Sequence, residues 1–401
     1  VPRLLRAVDL AALATRSPEL ALTAIADALD GRGDALLPVG PDPAERAALD
    51  ALEPGRPLRE NEDDDTDPTA LVLATSGSTG VPKGALLPAS ALRASAEATA
   101  RRLGGPARWL LALAPHHVAG VQVLVRSLLA GTVPEVLDLS AGFDVDAFAR
   151  AAGALHGRRC TALVPTQLVR LLDTGGEPLA ALTAFDAVLV GGAATPPALL
   201  ERARASGVRV TTTYGMSETA GGCVYDGVPL DGVRVRLDDA GPDGAGRVLL
   251  GGPVVARGYR LRAGHSAFST ADGTRWFATD DLGVLAAQRL QVRGRADDVI
   301  VTGGVKVAPQ IVEEVVATVP GVRECLVVGV PDAEWGERVE VLVVAGAPVP
   351  VLADVRRAVA ERLGAAAAPR ALHLVDAIPL RGLGKPDRAA AQRVAQALAE
   401  E

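Results

Sequence analysis

Aromatic residues are scarce in this chain: Phe, Trp and Tyr together make up 3% of its 401 residues. Ala, Arg and Gly are correspondingly frequent, which we read as a coding bias of the source. No apolar run reaches the ~18 residues that a membrane-spanning helix requires. Residues 1–20 interleave Arg3, Arg6, Asp9, Arg16 and Glu19 with leucines, which interrupts any signal-peptide core and predicts an amphipathic helix. Cysteine is limited to Cys160, Cys223 and Cys325. An odd, widely spaced set gives neither a disulfide framework nor a metal motif, and predicts buried thiols in a reducing compartment. Basic clusters are missing too. The formal net charge is −7 and the arginines are spread out, which excludes the footprint of a nucleic-acid binder. A soluble cytoplasmic protein without a membrane span is expected.

What the chain has is length and apolar content, 49% over 401 residues, enough for two or three domains at roughly 100–200 residues each. Residues 1–59 read as helical. The acidic run Glu60–Asp67 reads as a solvated loop with no further role. From residue 70, short apolar strands (71–74, 109–114, 135–139, 161–164, 187–190, 208–212) alternate with helices, the rhythm of a parallel sheet with covering helices. After Tyr225 the pattern changes to short strands with Gly/Asp turns, predicting a small antiparallel barrel or sheet. A break near Gly294 precedes a compact α+β unit. The expected fold is therefore α/β. A large N-terminal domain (1–294) of parallel α/β layers plus a small β-barrel or sheet is followed by a small, mobile α+β C-terminal domain (295–401).

The strongest motif is Thr75-Ser76-Gly77-Ser78-Thr79-Gly80-Val81-Pro82-Lys83-Gly84, directly after a strand. Its glycines turn the backbone so that N–H groups face an anion, its hydroxyls add donors, and Lys83 adds charge. A Walker loop requires Gly-Lys-Ser/Thr after its spacers, and Pro82-Lys83-Gly84 does not provide it, which disfavours a P-loop ATPase. A bare Gly/Ser surface turn is the plainer alternative, at odds of roughly one in ten given the strand and the lysine.

This loop resembles the phosphate-binding signature of the adenylate-forming superfamily, which holds acyl-CoA synthetases, peptide-synthetase adenylation domains and luciferases. Four more segments match the superfamily in order. In Thr213-Tyr214-Gly215-Met216-Ser217-Glu218-Thr219 the resemblance implies that Tyr214 stacks on adenine, that Gly215, Met216, Ser217 and Thr219 border the nucleotide, and that Glu218, with Thr75, holds Mg²⁺ on the ATP phosphates. A capped helix start would explain that segment without function. Ala278-Thr279-Asp280-Asp281-Leu282-Gly283 places Asp281 on the ribose hydroxyls, which suits a carboxylate with two acceptors. Asp280 departs from the usual Gly there and is a competing candidate. An acidic turn is the bland reading.

In the stretch from Gly294 to Glu313, Arg295 is implied to reach the ribose, Asp297 to be the hinge, and Gly303 and Gly304 to line the approach of the thiol. Gly384-Lys385-Pro386 matches the catalytic-lysine loop, although a lysine there could equally be a surface charge near a helix start. An ammonium aimed at the transferring oxygens would stabilise the transition state more than the ground state. Gly191 and Gly192 would pass along the adenine. His117 falls on the position bordering the acyl pocket, with a polar strand-to-helix turn as the alternative. Lys385, Glu218 and His117 form the expected catalytic set. ATP, Mg²⁺ and coenzyme A are the implied cofactor and co-substrates, a small carboxylic acid is the implied partner, and a homodimer is compatible with the resemblance.

The compact stretch after Glu218, running into Gly-Gly-Cys-Val-Tyr-Asp-Gly-Val-Pro-Leu, resembles the o-succinylbenzoate–CoA ligases of menaquinone biosynthesis. That substrate is a dicarboxylate. Gln122 and Arg126, four residues apart, share a helix face that would meet its second carboxylate; on base rates a solvent-facing Arg126 is the rival reading. Other aryl- or acyl-CoA ligases and carrier-loading adenylation enzymes are the nearest alternatives. A non-catalytic nucleotide-binding protein is the alternative of another class.

Overall fold

The computed structural model describes residues 2–75, 82–241, 244–381 and 385–400; the side chains of Arg381, Lys385, Ala399 and Glu400 lie outside the description. Two sheets form the larger part. In the first, Leu5–Val8, Ala35–Pro38 and Thr69–Thr75 are parallel, and Lys83–Pro88 and then Gly258–Tyr259 continue antiparallel. The second runs Val228–Pro229, Gly221–Tyr225, Val210–Met216, Ala187–Val190, Arg159–Leu163, Arg108–Leu111, Glu135–Val136. Its last five strands are parallel, as a chain of strand–helix units dictates.

Helices Pro18–Leu29, Ala89–Leu103 and Val118–Leu129 lie in the core between these sheets, where Ile25, Leu92 and Leu124 pack with Leu71, Trp109 and Val224. Val118–Leu129 is apolar nearly all round, as a helix buried on all sides should be; its polar residues Gln122, Arg126 and Ser127 are buried with it. The other face of the second sheet is covered by Val145–Ala154, Pro165–Thr174, Gly176–Thr183 and Pro197–Ala205, around Phe148, Leu168 and Val188.

A third, antiparallel sheet joins Arg234–Asp238, Gly246–Gly251, Thr274–Ala286 and Phe268–Ala271, with Arg289–Arg295 on the free part of the long strand. The fourth holds Ile300–Thr302, Val305–Val307, Val322–Asp332, Gly336–Ala345 and Ala371–Leu374, packed by helices Pro309–Val316, Leu352–Leu363 and Arg388–Glu400. Core clusters up to Leu290 contain no residue from beyond it, and those from Ile300 onward contain none from before it.

Two expectations fail. The first 59 residues are not all helical: Leu5–Val8 and Ala35–Pro38 are parallel strands, each too short for its period to stand out. The acidic run is not merely solvated. Glu62 is 1% exposed and pairs with the equally buried Arg260 at 2.6 Å, and it also accepts from the Leu261 N–H. Asp63 accepts from Arg3 and from the Thr69 N–H, and Asp67 accepts from Ser90 at the start of Ala89–Leu103.

Candidate active site

Strand Val210–Met216 ends in a short turn, Ser217–Thr219, that carries Glu218 into the interior. Its carboxylate is 6% exposed and accepts from the Tyr259 hydroxyl at 2.7 Å. Burial pushes its pKa up; the Tyr259 bond, its own backbone, Lys83 and the Thr75 hydroxyl pull it back. Thr75 and Lys83 arrive on adjacent antiparallel strands as register partners, and the Lys83 ammonium stands 5.3 Å over the Tyr259 ring. The sequence reasoning missed Tyr259. Its only signal was the Gly258-Tyr259 pair after a Gly-Gly-Pro turn, which becomes the strand beside Lys83–Pro88. Ser76, Gly77, Ser78, Thr79 and Gly80 lie outside the described residues.

A second cluster begins on the same strand, at Tyr214. The Tyr214 hydroxyl donates to Asp281 Oδ2 at 2.6 Å. Burial raises the Asp281 pKa, opposed by Tyr214 and Arg295, and burial with the Asp281 charge raises that of Tyr214. Asp281 and Arg295 are register partners on paired strands. The Arg295 guanidinium itself forks onto Asp297, two bonds of 2.8 Å, with Asp280 3.5 Å away. Those carboxylates hold its pKa above the ordinary guanidinium range. Asp280 faces Arg247 at 3.2 Å and is exposed, so Asp281 is the carboxylate turned inward.

Two glycines here are obligatory on steric grounds. A Cβ on Gly215 would strike the Gly221 carbonyl oxygen of the next strand, and one on Gly191 would strike the Thr213 hydroxyl. Gly192 has φ +83° and its nearest neighbour is a Val164 methyl. Met216 and Thr219 close the turn, with Met216 N donating to Thr219 Oγ1 at 3.0 Å.

The third cluster lies behind Ala220. His117 caps helix Val118–Leu129, and its ring is 4.2 Å from that of His116, whose own edge faces Gly40 and Glu45. Gln122 Nε2 donates to Ala220 O at 2.8 Å. Arg126 is buried, 7% exposed, which overturns the solvent-facing alternative. It stacks 5.0 Å over Trp109 and reaches the Tyr225 hydroxyl only at 3.4 Å. Arg126 Nε, Gln122 Oε1 and Ser127 Oγ are buried without a partner. Among the described residues no carboxylate pairs with Arg126.

Gly303, at φ +56°, packs under Trp335, whereas Gly304, at φ +81°, faces open space. Lys385 begins the second strand of the hairpin Leu380–Arg381/Lys385–Pro386; where its ammonium points lies outside the description. Among the described residues there is no group of three His, Cys, Asp or Glu placed to hold a metal, and no helix is long and apolar enough to cross a membrane.

A buried carboxylate, Glu218, on a short turn near the strand-borne Lys83, with a long antiparallel strand delivering Asp281 toward Tyr214, is the arrangement of a nucleotide-activating α/β enzyme. Residues 5–260 match the family model of AMP-binding enzymes and residues 311–385 that of the AMP-binding enzyme C-terminal domain. The chain belongs to the AMP-binding enzyme family. Its relatives include a probable 2-succinylbenzoate–CoA ligase of Mycobacterium tuberculosis, 49% identical over 93% of this chain and 94% of the relative. Another is a 2-succinylbenzoate–CoA ligase of Enterococcus faecalis, 30% identical over 80% and 68%. The fold is similar to Bacillus subtilis o-succinylbenzoate CoA synthetase (MenE) in complex with its acyl-adenylate intermediate, at TM-score 0.71 and 25% identity over 92% of this chain and 81% of that one. It is also similar to ATP-bound MatB from Rhodopseudomonas palustris, at TM-score 0.74 and 25% identity over 98% and 79%.

Proposed function

We propose that this chain is an AMP-forming acid–CoA ligase that converts 2-succinylbenzoate to its CoA thioester through an acyl-adenylate. The observation that carries the choice of acid is Arg126, a buried guanidinium with an unpartnered Nε beside the unpartnered Gln122 Oε1 and no counter-charge among the described residues. A buried cation left unpaired is costly, and a substrate with a second carboxylate supplies what it lacks. The 49% identity to a probable ligase for such a diacid supports the same choice.

In the first half-reaction a carboxylate oxygen attacks the α-phosphorus of ATP and pyrophosphate leaves. Lys83 and the loop from Thr75 to Gly84 hold the phosphates, Tyr214, Asp281 and Arg295 hold the nucleoside, and Lys385 neutralises charge gathering at the reacting phosphoryl group. Glu218 and the Thr75 hydroxyl are hard oxygen donors side by side, a pairing suited to Mg²⁺, which keeps most of its shell for water and phosphate. When bound, that ion screens the triphosphate charge. Tyr259 holds Glu218 through its hydroxyl bond to Oε1.

In the second half-reaction the C-terminal domain, 295–401, turns about Asp297 and withdraws Lys385. The thiol sulfur attacks the acyl carbon past Gly303 and Gly304, the thiol proton is lost, and AMP departs. His117 borders the acyl group. A cytoplasmic homodimer completes this reading, checked by light scattering on the purified chain.

A panel of mono- and dicarboxylic acids in a pyrophosphate-release assay, with and without coenzyme A, tests the whole. We expect 2-succinylbenzoate to give the highest kcat/KM and coenzyme A to be consumed one for one. Release driven better by a monoacid would overturn the choice of acid.

A further inference from the structure

Arg388 opens helix Arg388–Glu400, three residues beyond Lys385. A cation at a helix start opposes the macrodipole by about 0.3–1 kcal/mol, so something else must hold it there. Its Nη1 donates to Glu313 Oε1 and to the Val327 carbonyl, both at 2.6 Å, and its Nη2 to Glu313 Oε2 at 3.2 Å. Its Nε donates to Asp298 Oδ2 at 3.1 Å. Glu313 is fixed in turn by the Val327 N–H at 2.9 Å. Asp298 belongs to the turn Ala296–Asp298 and neighbours Asp297. On the other side, the Asp387 N–H closes the lysine hairpin on the Pro379 carbonyl at 2.8 Å, and its carboxylate caps Ala390.

One planar fork therefore joins four chain segments: the turn at 296–298, helix Pro309–Val316, strand Val322–Asp332, and the base of the hairpin that carries Lys385. The fork geometry makes arginine the fitting residue, because lysine offers a point charge and cannot reach both carboxylates in one plane. Side-chain exposures of 23% for Arg388, 30% for Asp298 and 16% for Glu313 leave the bonds partly sheltered from water.

We propose that Arg388 is a positioning residue: it locks the lysine hairpin to the hinge turn and to helix Pro309–Val316, so that rotation about Asp297 carries Lys385 as part of one rigid body. This rests on the reading of Lys385 as catalytic and of Asp297 as the pivot. Without the link the hairpin is a second joint between pivot and ammonium, and a misplacement near 1 Å can cost on the order of 100-fold in rate.

The test uses the full chain with Asp298→Asn and Arg388→Lys, singly and together. Hydrogen exchange of the 379–387 hairpin is the first readout, and it needs no substrate. Exchange should quicken at least fivefold there and stay within twofold in Gly336–Ala345, which makes no bond to Arg388 among the described residues. Adenylate formation should fall at least tenfold more than thioester formation from supplied acyl-AMP, and the double variant should lose no more than the worse single one. Unaltered exchange, equal losses in both half-reactions, or additive losses would each overturn the proposal. Lys385→Ala in the same assay separates the two claims: adenylate formed at the wild-type rate sinks the catalytic reading, and the hairpin exchange alone then decides the rigid link.

Discussion

The Tyr214 hydroxyl donates to Asp281 at 2.6 Å, so the carboxylate that we assign to the ribose already has a partner without a nucleotide. That bond offsets part of the burial that raises the Asp281 pKa. Tyr214→Phe removes the donor and leaves burial less opposed. The pH below which AMP binding declines should therefore move upward, since binding of a diol requires the ionised, accepting carboxylate. Calorimetric titration of AMP between pH 5 and 8 measures it, and an unmoved profile would refute the coupling.

Glu218 should trade stability for function. Its folded pKa is raised by burial, so the folded chain holds this proton more tightly than the unfolded one. The associated stability is complete below the ordinary carboxylate range and is lost as pH rises through the folded pKa. Glu218→Gln keeps an acceptor for Tyr259 and should melt higher than wild type at pH 8. The gain should shrink at pH 5. The same variant should lose pyrophosphate release.

Arg126→Met should divide acids by charge. KM for 2-succinylbenzoate should rise on the order of 30–150-fold, the loss of roughly 2–3 kcal/mol expected when one member of a buried charge pair is removed. KM for a benzoate-type monoacid should move little. Thermal stability should hold or improve, because an unpaired buried cation is gone. Equal KM changes for both acids would remove Arg126 from the pocket.

Glu62→Gln should destabilise the fold by about 3–5 kcal/mol in urea unfolding, since Arg260 would keep a buried charge without its counter-ion. Replacing both, Glu62→Gln with Arg260→Met, should recover part of that. A loss below 1 kcal/mol for the single change would mean that the four carbonyl bonds of Arg260 to Leu52, Glu53 and Pro57 suffice.

Lys385→Ala should cripple adenylate formation and spare thioester formation from supplied acyl-AMP. Asp297→Pro should do the reverse, by fixing the backbone where it must turn. Parallel losses in either variant would contradict the division of labour between the two conformations.

The chain advertised the parallel strands of the second sheet, because most are short apolar runs followed by a helix of clear period, but not Leu5–Val8 and Ala35–Pro38 of the first. It advertised the chemistry through residue types that only a crowded backbone or a charged ligand explains, as at Gly191 and Gly215. It concealed interactions made across long sequence distance. Glu62 looks solvated because it sits in a mostly acidic run, and its partner lies 198 residues on. Arg126 looked like a surface arginine until the helix bearing it proved to be covered on every side. Tyr259 could not be placed beside Glu218, since nothing local says that a two-residue strand will add to the edge formed by Lys83–Pro88.

Lysine stands at only three positions in this chain, 83, 306 and 385, against 38 arginines. One of them rests over the Tyr259 ring. Amine-directed reagents therefore have few addresses on the molecule, and two of the three lysines, 83 and 385, are residues we assign to the reaction. Tethering the protein to a sensor chip through amines should blunt it, whereas a tag should not. Conversely, a fluorophore ester used sparingly and mapped by peptide mass becomes a reporter of nucleotide occupancy.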